Sequence, residues 1–167
     1  GALAVLFIGQ PTTEDRWASL EPTKGALLAK RQVQIHPGEL LTTMNDRNLN
    51  LIMLDVRGEA EYNLFHIEDA ILAPVETIPA KVDALLQEPA NTIIVVMGND
   101  EEGAPQAWKT LVGESVPNVY ILEGGINGWL DTFAAQDGSL QRISAAAADS
   151  LRYAFPAALG ARYPAAT

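Results

Sequence analysis

The sequence predicts an α/β fold in which a mostly parallel central sheet carries helices on both faces. Apolar strand-like runs alternate along the chain with segments of helical spacing, the order that builds a parallel sheet through helical crossovers. Two of those runs, Leu51-Ile52-Met53-Leu54-Asp55-Val56 and Thr92-Ile93-Ile94-Val95-Val96-Met97, are almost uninterrupted, as strands covered from both sides must be.

The elements follow in order. Val33-Gln34-Ile35 alternates as a short first strand, and Pro37-Gly38-Glu39 opens a helix whose Leu40, Leu41 and Met44 face inward. Asn45-Asp46-Arg47-Asn48 is a turn into the strand at 51–56. Residues 59–65 form a short helix, 70–73 a strand, and 79–87 a helix with Val82, Leu85 and Leu86 inward. The strand at 92–97, a helix over 105–112, a strand over 119–122 and a helix over 126–132 complete the series. These segments belong to a compact domain over 32–135. It is preceded by an apolar stretch over 1–11 and a helical connector over 12–31, where Trp17 and Leu20 share a face and Pro22 interrupts. Residues 136–167 form an alanine-rich extension, helical from Gln141 through Phe155 and broken by Pro156, Gly160 and Pro164.

Composition narrows the function classes. The 167 residues suffice for one domain with a sizeable core, and 48% apolar content with 19% charged is that of a folded chain. A net charge of −10 argues against nucleic acid as a partner. The absence of cysteine excludes disulfides, thiolate nucleophiles, Cys-ligated zinc and iron–sulfur clusters. The run from Gly1 to Gly9 falls short of the roughly 20 apolar residues a bilayer-spanning helix needs. Being uniformly apolar, it reads as the end of a membrane anchor; a buried strand or arm of the domain is the competing reading. No Lys/Arg cluster follows it, so an anchored domain is expected outside the cytoplasm, on the periplasmic side, with a cytoplasmic location as the alternative.

Three segments carry a family pattern. Asp55-Val56-Arg57, then Glu61-Tyr62, then His66-Ile67-x-x-Ala70 resembles the first signature of rhodanese-like domains. Strand 92–97 and the loop after it stand where that family keeps its active-site loop. Val119-Tyr120-Ile121-Leu122-Glu123-Gly124-Gly125-Ile126-Asn127-Gly128-Trp129 resembles the family's closing strand–turn–helix. The resemblance covers about 32–133 and implies the family's three-layer fold. Physical roles stand beside it. Asp55 ends a strand and is placed to hold the N–H groups of the next turn; Arg57 and Glu61, four apart, are placed to pair. Gly124 and Gly125 permit a tight turn with positive φ, and Trp129 packs the last helix. His66, flanked by Phe65 and Ile67, and His36, before Pro37, read as structural residues.

A strand running into a short loop at a helix N-terminus is an anion cradle, because unpaired N–H groups point into it. The resemblance implies a cysteine at the first loop position, where amides and the helix dipole activate the thiolate. Here that loop is Gly98, Asn99, Asp100, Glu101, Glu102, Gly103, Ala104. Glycine forms no persulfide, and three carboxylates are expected to satisfy the loop amides and repel anionic substrates. No catalytic residue, metal or cofactor is expected. The sequence therefore reads as a catalytically inactive binding or structural module, a membrane-tethered accessory subunit of a larger complex, a redox one by analogy with the family. Its protein partners would meet Trp17, Leu20, Tyr153, Phe155 and Tyr163, aromatic and apolar anchors on the peripheral segments; packing back onto the domain is the other use open to these side chains. A non-covalent ligand or cation sensor using loop 98–104, and a sulfurtransferase completed by a cysteine supplied in trans, are the alternatives.

Overall fold

The computed structural model describes residues 33–138, 140–143 and 149–155. Its main sheet has five parallel strands in the order β1-β5-β4-β2-β3. These are β1 (Gln34–Ile35), β2 (Asn50–Asp55), β3 (Ile71–Leu72), β4 (Thr92–Met97) and β5 (Val119–Leu122). The helices are α1 (Pro37–Met44), α2 (Glu59–Leu64), α3 (Ile78–Leu86), α4 (Pro105–Gly113) and α5 (Gly125–Phe133).

Strand alternation splits the core in two. Leu54, Ile94, Val96 and Ile121 point to one face, where Ile78, Val82 and Leu85 of α3 meet Trp108 and Leu111 of α4. Met53, Val95, Met97 and Leu122 point to the other, against Leu40 of α1 and Ile126, Trp129 and Leu130 of α5. The expected three layers are present. Each bulky anchor is placed by a local rule. His36 Nδ1 accepts the Gly38 N–H at 2.9 Å and caps α1, whose first residue, Pro37, has no N–H to lose. Trp108 is 1% exposed and donates its indole N–H to the Val119 carbonyl at 3.0 Å, tying α4 to β5.

The C-terminal extension differs from its expected helix. Gln141–Arg142 and Tyr153–Ala154 pair as antiparallel strands, β6 and β7. The alanine run at 145–148 lies outside the described residues, and the segments flanking it are strand and turn where a helix is expected. Tyr153 is buried, donates to Asp131 Oδ1 at 2.6 Å, and has Arg142 over its ring. Phe155 lies parallel to Phe65 with ring centroids 6.1 Å apart. Both side chains expected as partner anchors thus pack on their own domain, because each finds apolar cover within reach. The segments 1–11 and 12–31, with Trp17 and Leu20, lie outside the described residues, as does Tyr163. Among the described residues, no helix is long and apolar enough to cross a membrane.

Candidate functional site

Because all five strands of the main sheet are parallel, their C-terminal ends open on one edge, where crevices form in such sheets. Asp55 closes β2 directly beside Met97, which closes β4. The loop after β4 therefore emerges next to the turn after β2. The start of α5 reaches the same edge: its Ile126 and Asn127 N–H groups donate to the carbonyls of Gly98 and Asn99 at 2.9 and 2.8 Å. This contact explains Gly125, at φ +60°, since a β-carbon there would stand 2.7 Å from the Asp100 backbone.

Behind the loop lies a buried ion pair. Arg57 Nη2 and Nε donate to the two Asp55 carboxylate oxygens at 2.7 and 2.8 Å, both side chains fully buried. Asp55 also takes the Arg57 N–H, as expected of a carboxylate at a strand end. The guanidinium further donates to Phe65 O at 2.6 Å and Asn99 Oδ1 at 3.3 Å. The expected Arg57–Glu61 pair is not what forms. The i,i+4 rule needs a helix, and α2 begins only at Glu59, so Arg57 turns back to Asp55 while Glu61 accepts from Asn99 Nδ2 at 2.7 Å.

Two of the three loop acids are used internally. Asp100 Oδ1 accepts the Glu102 N–H at 2.8 Å and Glu101 Oε1 the Gly124 N–H at 2.9 Å; Glu102 is exposed. Glu101–Gly103 makes one 3₁₀ turn, which delays α4 to Pro105. The two amides at the head of the loop are not satisfied by these acids. They are taken by Asp149, from the C-terminal extension: its Oδ1 accepts from Asn99 N–H at 2.8 Å and Asp100 N–H at 3.0 Å. A carboxylate of the chain itself thus sits in the cradle that the sequence predicts for an anion.

The space it fills is the space a larger first residue would need. A β-carbon on Gly98 would stand 2.8 Å from Asp149 Oδ1, and one on Gly103 would collide with the same carboxylate. Asn99 and Asn127 hold the main chain on either side, through Asn99 Nδ2 to Asp149 O at 2.8 Å and Asn127 Nδ2 to Ser150 O at 2.9 Å. Sequence reasoning missed Asp149 and the role of Asn127. The available signal was that Asp149 is the lone acid between Gln141 and Phe155.

Burial raises the Asp149 carboxyl above its ordinary value; the N–H bonds from Asp100 and Asn99 oppose this, and the charges of Asp100 and Glu61 add to it. A carboxyl raised in the docked state binds its proton more tightly there. Docking is therefore strongest below the ordinary value of about 3.9 and weakens as pH rises through the raised one. Asp149→Asn keeps the acceptor oxygen without a titrating proton. Protection of the Asn99 and Asp100 amides, corrected for intrinsic exchange, falls as pH rises above the ordinary carboxyl value of about 3.9 in the wild type and stays flat in this variant. Parallel profiles would contradict the assignment.

Both histidines make local contacts, His36 at the N-cap of α1. His66 stacks on Tyr62 at 3.8 Å and sets Nδ1 2.9 Å from the Tyr62 carbonyl, while Tyr62 Oη donates to Ala70 O at 2.6 Å. Among the described residues, no group of three or more potential metal ligands converges.

Comparison with known proteins agrees with this geometry. A sequence model of the rhodanese-like domain family matches residues 36–132, more than half of the chain. A rhodanese-like domain from an Anabaena protein is 26% identical, covering 60% of this chain and 74% of that one, at a TM-score of 0.52. A Bacillus halodurans protein shares the fold at 21% identity and a TM-score of 0.53, covering 67% of this chain and 81% of that one. A single-domain sulfurtransferase of Saccharomyces cerevisiae does so at 18% identity and a TM-score of 0.50, covering 62% and 92%. The chain belongs to the rhodanese-like domain family, as a member that contains no cysteine.

Proposed function

We propose that this domain is a non-catalytic binding or structural module, and that the protein serves as a membrane-tethered accessory subunit of a larger assembly. One observation carries the reading: the first loop position is Gly98, and the amides beside it already hold the Asp149 carboxylate. Sulfur transfer by this family's route needs a thiolate there, and the chain has none to offer from any position. Two of the three acids that would serve a cation sensor, Asp100 and Glu101, are engaged with backbone amides instead. The apolar run at 1–9 supports attachment to a membrane with the domain outside the cytoplasm.

The test is to tag the protein in its native host, solubilise the membranes gently and identify what co-purifies. A stoichiometric set of membrane proteins is the expected result. Recovery of the protein alone from the soluble fraction would remove both the tether and the assembly.

A further inference from the structure

We propose that the mouth of the vacated loop is a peptide clamp for a segment bearing aspartate, and that this chain's own Asp149–Arg152 occupies it in cis. The inference rests on the reading of the domain as a binding module and states what its loop binds. Four hydrogen bonds hold the segment by its main chain. Asn99 Nδ2 donates to Asp149 O at 2.8 Å, and Asp149 N–H donates to Asp100 Oδ2 at 2.8 Å. Asn127 Nδ2 donates to Ser150 O at 2.9 Å, and Arg152 N–H donates to Asn127 Oδ1 at 2.7 Å. Bonds of this kind give affinity without regard to sequence, as in other modes of peptide recognition; selectivity comes from a side-chain pocket.

The pocket here is the amide pair of Asn99 and Asp100, which takes the Asp149 carboxylate beneath Gly98 and Gly103. The clamp is built rather than incidental. Asn99 and Asn127 are 1% and 3% exposed, and Asn99 is fixed from behind by Arg57 and Glu61. Asp149 sits at φ +52°, a left-handed conformation that Asp and Asn tolerate better than other side-chain-bearing residues. Backbone and pocket therefore select the same residue types. The covalent strap enjoys a high effective concentration, so a segment from another chain enters only when the strap is displaced.

The test uses the full chain carrying Asp149→Ala, with the β4 amides reporting that the fold is intact. Exchange at the Asn99, Asp100 and Arg152 amides is expected to accelerate roughly tenfold or more on loss of two bonds to a carboxylate. A synthetic peptide copying residues 147–155 then shifts the Asn99, Asp100 and Asn127 resonances of this variant saturably. Placing alanine at the peptide's aspartate weakens it by roughly tenfold or more, and the wild-type chain, with its strap in place, responds far less. Asp149→Asn, which keeps the acceptor oxygen, protects the loop as the wild type does at low pH, where the Asp149 carboxyl is protonated. Unchanged exchange in Asp149→Ala, no shift with the peptide, or an affinity indifferent to its aspartate overturns the clamp. Sulfur transfer by the wild-type chain would end the non-catalytic reading instead and leave both readouts where they are.

Discussion

Arg57→Ala is expected to lower the unfolding free energy by about 3–5 kcal/mol, measured by urea denaturation, because it strands a buried carboxylate. Asp55 has no exposed surface, and Arg57 supplies both of its charge-assisted side-chain bonds. The same change frees Asn99 Oδ1 and Phe65 O, so the loop loosens along with the core. Arg57→Lys does not rescue, since an ammonium cannot repeat the planar fork that serves Asp55, Asn99 and Phe65 together. Replacing both partners, as in Asp55→Leu with Arg57→Met, costs far less than Arg57→Ala, because no buried charge is left alone. A loss below about 1 kcal/mol in Arg57→Ala would mean that Asp55 is not desolvated as the structure has it.

Gly98→Cys, the substitution that restores the family's nucleophile, is expected to destabilise the chain by about 1–3 kcal/mol. The new β-carbon would lie 2.8 Å from Asp149 Oδ1, 3.1 Å from the Gly103 backbone and 3.2 Å from Asp100 O. The strap is the neighbour best able to yield, so its docking is lost first. Combining Gly98→Cys with Asp149→Ala should therefore cost less than the sum of the single changes, with a coupling of about 1–2 kcal/mol in a double-mutant cycle. Additive costs would show that the carboxylate does not share space with the first loop position.

Most of the fold was legible because its determinants are local. β2 and β4 are apolar runs that little else could accommodate, and α4 and α5 extend within one residue of their expected bounds. Gly124 and Gly125 take the positive φ that their sequence announces. The candidate site was legible only in part. Its loop and its missing nucleophile are contiguous in sequence and were found. Its occupant was not: Asp149 lies 50 positions from Asn99, in a segment whose alanines argue for helix. The Arg57 partner is missed for a related reason, since the helical spacing rule does not hold two residues before the helix starts. Tyr153 and Phe155 look like free anchors in sequence because nothing local says that Asp131 and Phe65 wait to cover them.

Sulfur transfer is not expected of this rhodanese-like scaffold on its own, because it contains no cysteine. The most direct test supplies thiosulfate and cyanide to the purified full-length chain, follows thiocyanate release, and takes the intact mass of the protein afterwards. Thiocyanate is expected at the rate of the protein-free reaction, with an unmodified mass. Turnover proportional to protein concentration, or a mass increased by one sulfur atom, would contradict it.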